Sequence, residues 1–101
     1  MASTAEPSSP GYTASRDELL TRLGRVEGQV RGVARMVEED RYCIDILTQI
    51  SAIRAALDRV AMGVLDGHVR HCVVGDHGPG TQKERVDELM AAVGRLAGRR
   101  A

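Results

Sequence analysis

The sequence predicts an all-α protein, and three observations support this fold class. Aromatic residues make up 2% of the 101 residues and neither Phe nor Trp occurs, so the apolar residues are mostly Val, Leu, Ile and Ala. Along two segments the apolar residues recur at alternating spacings of four and three, which is the period of an amphipathic helix. A glycine-rich break at residues 75–80 separates these segments from a third, shorter one. We therefore expect three helices with an aliphatic core.

The N-terminal residues 1–14 read MASTAEPSSPGYTA and are small, polar and rich in Pro and Ser. Such a segment cannot bury enough apolar surface to offset the entropy that it loses on ordering. The sequence therefore predicts a disordered N-terminal tail, followed by one helical domain at residues 15–98.

The first helix is predicted for residues 15–39. Ser15 and Glu18 form a capping-box pattern, in which the two residues bond each other's backbone N–H groups. An apolar seam then runs along one face of the helix. Its members are Leu19, Leu23, Val26, Val30, Val33 and Val37.

The second helix is predicted for residues 42–72, which makes it long for so small a domain. Gly63 and Gly67 each weaken a helix by about 1 kcal/mol relative to alanine, which favours a bend or fraying near the end. We nevertheless predict one continuous helix. Its seam consists of Ile46, Ile50, Ile53, Leu57, Val60 and Val64.

The third helix is predicted for residues 81–97. Thr81 and Glu84 form a second capping-box pattern at its start, and Gly98 is suited to end it. The apolar positions of this helix are Val86, Leu89 or Met90, Val93 and Leu96.

The long seam of the second helix predicts self-association. A small domain buries a modest fraction of its surface, and a three-helix monomer would leave much of this seam in water. We therefore expect an antiparallel helical dimer or a dimer of dimers.

The charge balance is neutral, with 14 basic and 14 acidic residues. Net charge therefore neither supports nor excludes a nucleic-acid partner. Thirteen of the basic residues are arginine, which suits planar contact with phosphate or guanine, although genome composition and solvated helix faces explain the same bias.

Neither a membrane span nor a signal peptide is predicted. No apolar run approaches the roughly 20 residues that cross a bilayer, and the N-terminus has no basic start followed by an apolar run. We expect a cytoplasmic protein without a membrane partner, whose two cysteines are free thiols for metal or redox chemistry rather than a structural disulfide.

Helix geometry bears on how the two cysteines, Cys43 and Cys72, could act together. His68 lies 25 residues after Cys43, about 37 Å along a continuous helix, and Cys72 is further still. Because His68 and Cys72 are four residues apart, they share one face and supply half a metal site. Antiparallel packing of two copies would place Cys43 beside His68 and Cys72 of the partner subunit.

Two thiolates and one imidazole form this potential ligand set. Thiolates are soft donors that select Cu(I) or Zn, and three ligands without a carboxylate suit trigonal Cu(I) better than closed tetrahedral zinc. Zinc with a water as fourth ligand stays open. So does a purely structural role, with both cysteines as small buried apolar residues and His68 at a helix end.

Two motifs together resemble the CsoR/RcnR family of small all-helical bacterial repressors, and within it the copper-sensing CsoR branch. They are RLGRVEGQVRGVARMVEEDRYCIDILTQISAIRAAL at residues 22–57 and LDGHVRHCV at residues 65–73. The resemblance implies a dimer of dimers, without a helix-turn-helix, that binds operator DNA when metal-free. It also implies that Cu(I) releases the DNA and so derepresses copper-resistance genes.

The resemblance also assigns roles to individual residues. The metal ligands of the family fall on Cys43 of one subunit and on His68 and Cys72 of the other. The nickel and cobalt branch has histidine at the position of Cys72, and the persulfide-sensing branch lacks the histidine, so neither pattern matches here. The residues that support the ligands fall on Tyr42 and Glu88.

The resemblance places DNA contacts on basic residues of the helical surface, which map onto Arg22 and Arg59. Charge placement alone adds four further candidates, which are Arg25, Arg31, Arg35 and Arg54.

Other functions are less well supported by the sequence. A thiol- or persulfide-responsive repressor could join Cys43 and Cys72 across subunits after oxidation, but it would not need His68. A copper-buffering protein without a DNA target would need the three ligands and not the arginines. An enzyme is not expected, because no base-and-orienter constellation and no phosphate-binding glycine loop after a strand is visible.

Overall fold

The computed structural model describes residues 11–98, and within this range all regular structure is helical. The all-α fold class and the three-helix organisation are therefore confirmed. A short 3-10 helix precedes the first α-helix, and a π-helical segment continues the second. The elements are the 3-10 helix Thr13–Ser15, α1 at Arg16–Glu38, α2 at Cys43–His68, the π-helical segment Val69–Val74, and α3 at Gln82–Gly98.

Helices α1 and α2 form an antiparallel hairpin, because the turn at residues 39–42 is too short for any other packing. A contact between the first turn of α1 and the last turns of α2 fits this arrangement: a Cβ atom added at Gly63 would lie 3.0 Å from the Leu19 Cδ2 atom. The side chains buried between the helices are Leu19, Val26, Ile53 and Val60. Four of the predicted seam positions therefore form the core.

The core of the described chain is thin. The molecule measures 52 × 36 × 15 Å, and no described side chain is less than 2% exposed. Much of both predicted seams stays exposed, including Leu23 and Val30 on α1 and Ile50 and Leu57 on α2. No helix within residues 11–98 combines the length and the apolar character that a membrane span requires.

The second helix differs from the prediction at its C-terminal end. The α-helix ends at His68, and residues 69–74 continue the same path as a wider π-helix. The N–H of Gly75 bonds the Arg70 carbonyl at 3.1 Å, five residues back. Side chains of α3 bond the carbonyls of Cys72 and Val73 at the end of this segment.

Regular structure begins before residue 15, the predicted start of the helical domain. Residues 11–14, assigned above to the disordered tail, form a turn and part of the 3-10 helix. A Cβ atom added at Gly11 would lie 2.4 Å from the Gly67 carbonyl oxygen, so two glycine backbones cross here in direct contact. Because Gly67 has no side chain, the segment can pack on α2. The rest of the predicted tail, residues 1–10, lies outside the described residues.

The two predicted capping boxes have different outcomes. The Ser15 side chain does not cap α1 and instead donates a hydrogen bond to the Tyr12 carbonyl at 3.3 Å, because the 3-10 helix occupies the residues just before it. The second box is confirmed in both directions. The Thr81 N–H bonds Glu84 Oε1 at 2.7 Å, and the Glu84 N–H bonds Thr81 Oγ1 at 3.1 Å.

Candidate metal site and basic surface

The three predicted metal ligands lie at opposite ends of the second helix. Cys43 begins α2, where its side chain is exposed, next to Tyr42, which is 66% exposed. His68 ends α2 and is half-buried, and Cys72 is buried in the π-helical segment. Both cysteines are free thiols.

The length of α2 prevents one chain from assembling the three ligands. Its 25 steps from Cys43 to His68 span about 37 Å at the rise of an α-helix. Accordingly, no cluster of three or more His, Cys, Asp or Glu side chains suited to a metal ion occurs within residues 11–98. The donor set suits Cu(I), with two soft thiolates and one imidazole, but a single chain presents it as two separate parts.

The part of the site at the end of the second helix is organised by Arg85, a residue that sequence reasoning missed. Its guanidinium is 4% exposed, and Nε donates to the Cys72 carbonyl oxygen at 2.9 Å. The other nitrogens bond the Asp76 carboxylate and the carbonyls of Gly78 and Gly80. We call this set of bonds the Arg85 clamp.

A signal for the Arg85 clamp exists in the sequence. Arg85 stands four residues before Leu89 and eleven before Leu96, so it occupies the apolar face of α3. A charged side chain on such a face is expected to find buried acceptors. The identity of those acceptors depends on the path of residues 75–80, which periodicity does not reveal.

The clamp leaves little space around Cys72. Gly78 adopts φ +121°, and a Cβ atom added there would lie 3.3 Å from Arg85 Cδ and 3.8 Å from Cys72 Sγ. Glycine is therefore required at this position for both the backbone conformation and the close approach. The glycine-rich break thus serves as a cover over Cys72 as well as a helix terminator.

Tyr42 and Glu88 are predicted to orient His68 by hydrogen bonds. Within one chain, neither of them forms a hydrogen bond with His68. Tyr42 precedes Cys43 and is therefore separated from His68 by the length of α2. Glu88 is exposed on α3. The assignment of Tyr42 and Glu88 as residues that support the ligands concerns the assembled protein and stays a prediction.

Two further histidines lie next to the half-site at His68 and Cys72. The rings of His71 and His77 stack with a centroid distance of 4.8 Å and an interplanar angle of 19°. The His71 Nε2 atom is buried and, within the described chain, has no hydrogen-bond partner. His77 is exposed, and its ring is held against that of His71.

The structure brings Arg22 and Arg59 to one cleft of about 500 Å³ between α1 and α2. Acidic residues line the same cleft, and Arg22 bonds Glu18 at 3.3 Å, with the Arg22 side chain 40% exposed and the Glu18 side chain 65% exposed. An exposed pair of this kind contributes about 0 to 1 kcal/mol. The ion pair with Glu18 therefore holds the Arg22 guanidinium only weakly.

The other arginines are spread over different faces. Arg25 lies three residues from Arg22 and shares its side of α1, whereas Arg31 and Arg35 lie about half a turn away. Arg54 lines a different groove, between α2 and α3. One chain therefore does not gather all six predicted arginines on a single surface.

Comparison with known proteins identifies a family and its members. A family model described as metal-sensitive transcriptional repressor matches residues 15–95. The copper-sensing transcriptional repressor RicR of Mycobacterium tuberculosis is 55% identical over 89 residues, covering 85% of this chain and 92% of RicR. The copper-sensing transcriptional repressor CsoR of Bacillus subtilis is 48% identical over 75 residues, covering 74% of each chain.

Two solved structures share the fold. The crystal structure of the copper-sensing repressor CsoR with Cu(I) from Geobacillus thermodenitrificans superposes with a TM-score of 0.72 at 48% identity, covering 80% of this chain and 84% of that one. The nickel-responsive transcriptional regulator InrS has a TM-score of 0.65 at 42% identity, covering 78% of this chain and 89% of its own.

Proposed function

The chain belongs to the family of metal-sensitive transcriptional repressors, and on this basis we propose that it is a Cu(I)-sensing repressor. In this proposal the metal-free protein binds operator DNA, and Cu(I) binding releases it and derepresses copper-resistance genes. The observation that carries the proposal is the pair of free thiols and one histidine, divided between the two ends of α2. Membership of a repressor family agrees with the prediction that the chain is not an enzyme.

The proposed metal site is shared between subunits. Cys43 of one subunit would meet His68 and Cys72 of the partner subunit when two α2 helices pack antiparallel, which gives two equivalent sites per dimer. Bound Cu(I) would supply a soft centre that holds two thiolates and one imidazole together. Tyr42 and Glu88, both exposed in one chain, would then be available to orient the imidazole of His68.

The exposed apolar surface supports a homodimer that assembles further into a dimer of dimers. A groove of about 960 Å³ between α2 and α3 is lined by Leu47, Ile50, Leu57 and Leu96, and these side chains are exposed in the single chain. Contiguous apolar surface of this kind marks an association site. The same packing would bring the two halves of the metal site together.

The proposed DNA surface is built from arginines that repeat through the assembly. Arg22 and Arg59 share one cleft in each chain, so a tetramer presents four copies of this pair. Repetition of this arginine pair can give the assembly a basic surface that faces the DNA phosphates, although the chain is neutral overall. We further propose a cytoplasmic location, where operator DNA and reduced thiols coexist.

The proposed switch is a shift between two arrangements of the helical assembly. The metal-free arrangement aligns the arginines with DNA. When Cys43 is drawn to His68 and Cys72 of the partner subunit, the α2 helices move and the arginine pairs lose that alignment. Because linkage is reciprocal, DNA must weaken copper binding by the same factor as copper weakens DNA binding.

The deciding experiment is an anaerobic Cu(I) titration of the reduced protein, followed by absorption and by fluorescence anisotropy of labelled promoter DNA. We expect one Cu(I) per chain and a loss of DNA affinity of roughly 5- to 150-fold, the usual range of allosteric coupling. His68→Ala should abolish the DNA response, whereas His77→Ala, an exposed loop histidine outside the ligand set, should retain it. Unchanged DNA affinity on adding Cu(I) would refute the proposal.

A thiol-responsive repressor is the second candidate, favoured by the exposed free thiol of Cys43. Oxidation or persulfidation would then join it to Cys72 of the partner subunit. This reaction does not use an imidazole, so a His68→Ala variant that keeps a full response to a polysulfide donor and none to Cu(I) would support it.

Tight copper binding that persists in an Arg22→Ala, Arg59→Ala variant, with no DNA response in the wild type, would instead indicate a copper buffer.

A further inference from the structure

The backbone around Cys72 depends on α3 for its hydrogen bonds. The last carbonyls of a helix have no partner inside that helix. Here the Cys72 carbonyl accepts from Arg85 Nε at 2.9 Å, and the Val73 carbonyl accepts from Gln82 Nε2 at 2.9 Å as well as from the Asp76 N–H at 3.3 Å. Both donors lie in the first turns of α3. The peptide unit that carries the Cys72 thiol is therefore fixed by α3 as well as by its own helix.

Arg85 is well suited to hold this unit. It is the one charged residue among residues 11–98 that is buried, and a buried charge is tolerated only when hydrogen bonds satisfy it. Arg85 Nε bonds the Cys72 main chain, and the two terminal nitrogens bond Asp76 and loop carbonyls. These bonds use the carbonyl of Cys72 and leave its sulfur without a hydrogen bond from Arg85.

Because of the way α3 is attached to the chain, a movement of the Cys72 backbone reaches α3 mainly through the Arg85 clamp. Helix α3 packs against the π-helical segment and, within residues 11–98, has no comparable packing with α1 or α2. A displacement of the Cys72 backbone is therefore passed to α3 chiefly through Arg85 and Gln82. Within residues 11–98, no packing of α3 against α1 or α2 would absorb it first.

We infer that Arg85 is a positioning residue of the sensor, which fixes Cys72 for metal ligation and transmits its displacement to α3. The inference rests on the proposed copper-sensing function. Lysine at this position would keep the positive charge but lose the planar fork that reaches several acceptors at once. The role therefore requires arginine rather than charge alone.

The first test measures how well Cys72 is held in the metal-free protein. In a Cys43→Ser background, Cys72 carries the remaining thiol, and its rate of reaction with an aromatic disulfide reagent reports local opening. Arg85→Lys and Arg85→Ala should each raise this rate by about tenfold or more, as expected for the loss of at least one buried hydrogen bond. Lys83→Ala, an exposed change on the same helix, should leave it unchanged. Equal rates in all variants would overturn the positioning role.

The second test measures transmission, as the ratio of DNA dissociation constants with and without Cu(I). Arg85→Lys should bring this ratio close to 1, from a wild-type value of roughly 5 to 150, with metal-free DNA affinity close to wild type. A purely structural role would weaken both affinities through the folded fraction and leave the ratio unchanged, which would overturn the inference. A wild-type protein without any copper response would refute the proposed function instead, and the labelling rates would still decide the positioning of Cys72.

Discussion

At the scale of single residues, the Thr81–Glu84 capping box makes a direct contribution to stability. Both of its hydrogen bonds are formed, and they satisfy backbone N–H groups at the start of α3 that otherwise have no partner. Thr81→Ala should therefore lower the free energy of unfolding by about 1 kcal/mol. Urea denaturation followed by circular dichroism, at one fixed protein concentration, measures this change.

Ser15 provides the matched control for this prediction. It occupies the N-cap position of α1 but forms no capping bond, so Ser15→Ala should change the free energy of unfolding by less than about 0.5 kcal/mol. Equal losses in the two variants would contradict the assignment of the capping bonds.

The residues of the metal site differ in how far the sequence reveals them. Cys43, His68 and Cys72 could be proposed as ligands because their side-chain chemistry and their spacing along a helix are both local properties. The role of Arg85 could not, because its acceptors lie in an irregular loop whose path depends on Gly78 and Asp76, both with positive φ. Likewise, Ser15 and Thr81 each begin a capping-box pattern, and only the conformation of the preceding chain decides which of them caps a helix.

At the scale of elements, the crossing of Gly11 and Gly67 fixes the N-terminal segment on α2. A Cβ atom at Gly67 would lie 2.7 Å from the Gly11 carbonyl oxygen, which backbone atoms cannot accommodate without moving. Gly67→Ala should therefore displace residues 11–12 from the end of α2, despite the gain of about 1 kcal/mol in helix propensity. Hydrogen exchange at Ser15, whose N–H bonds the Tyr12 carbonyl at 2.9 Å, should rise.

Gly94→Ala tests the same substitution without the crossing. No atom lies within 4 Å of a Cβ added at this α3 position, so the helix should gain up to about 1 kcal/mol and the N-terminal segment should keep its exchange protection. Faster exchange in both variants, or in neither, would contradict the role of the crossing.

The regular elements could be predicted largely because apolar periodicity determines which face of each helix is buried. Leu19, Val26, Ile53 and Val60 lie on predicted seams and are buried. The π-helical segment could not be found in this way, because His68 and Cys72 share a face in either helix type. The bonds from α3 side chains to the carbonyls at the end of this segment are likewise invisible to periodicity.

At the scale of the whole molecule, a thickness of 15 Å leaves too little interior for a stable monomer. Folding and association should therefore be coupled, so that the apparent stability of a dimer falls by about 1.4 kcal/mol for each tenfold dilution. Thermal unfolding at several protein concentrations, with sedimentation of the same samples, measures this dependence. A midpoint that stays constant over a hundredfold range of concentration would contradict it.

The π-helical segment Val69–Val74 also limits which sequence changes such a chain can accept during evolution. Exchanges among its aliphatic residues alter only volume, whereas the gain or loss of one residue would rotate everything beyond it around the helix axis by the angle of one residue. The carbonyls of Cys72 and Val73 would then face away from Arg85 and Gln82. Natural variation in this stretch should therefore consist of substitutions, and the number of residues between His68 and Gln82 should be inherited unchanged.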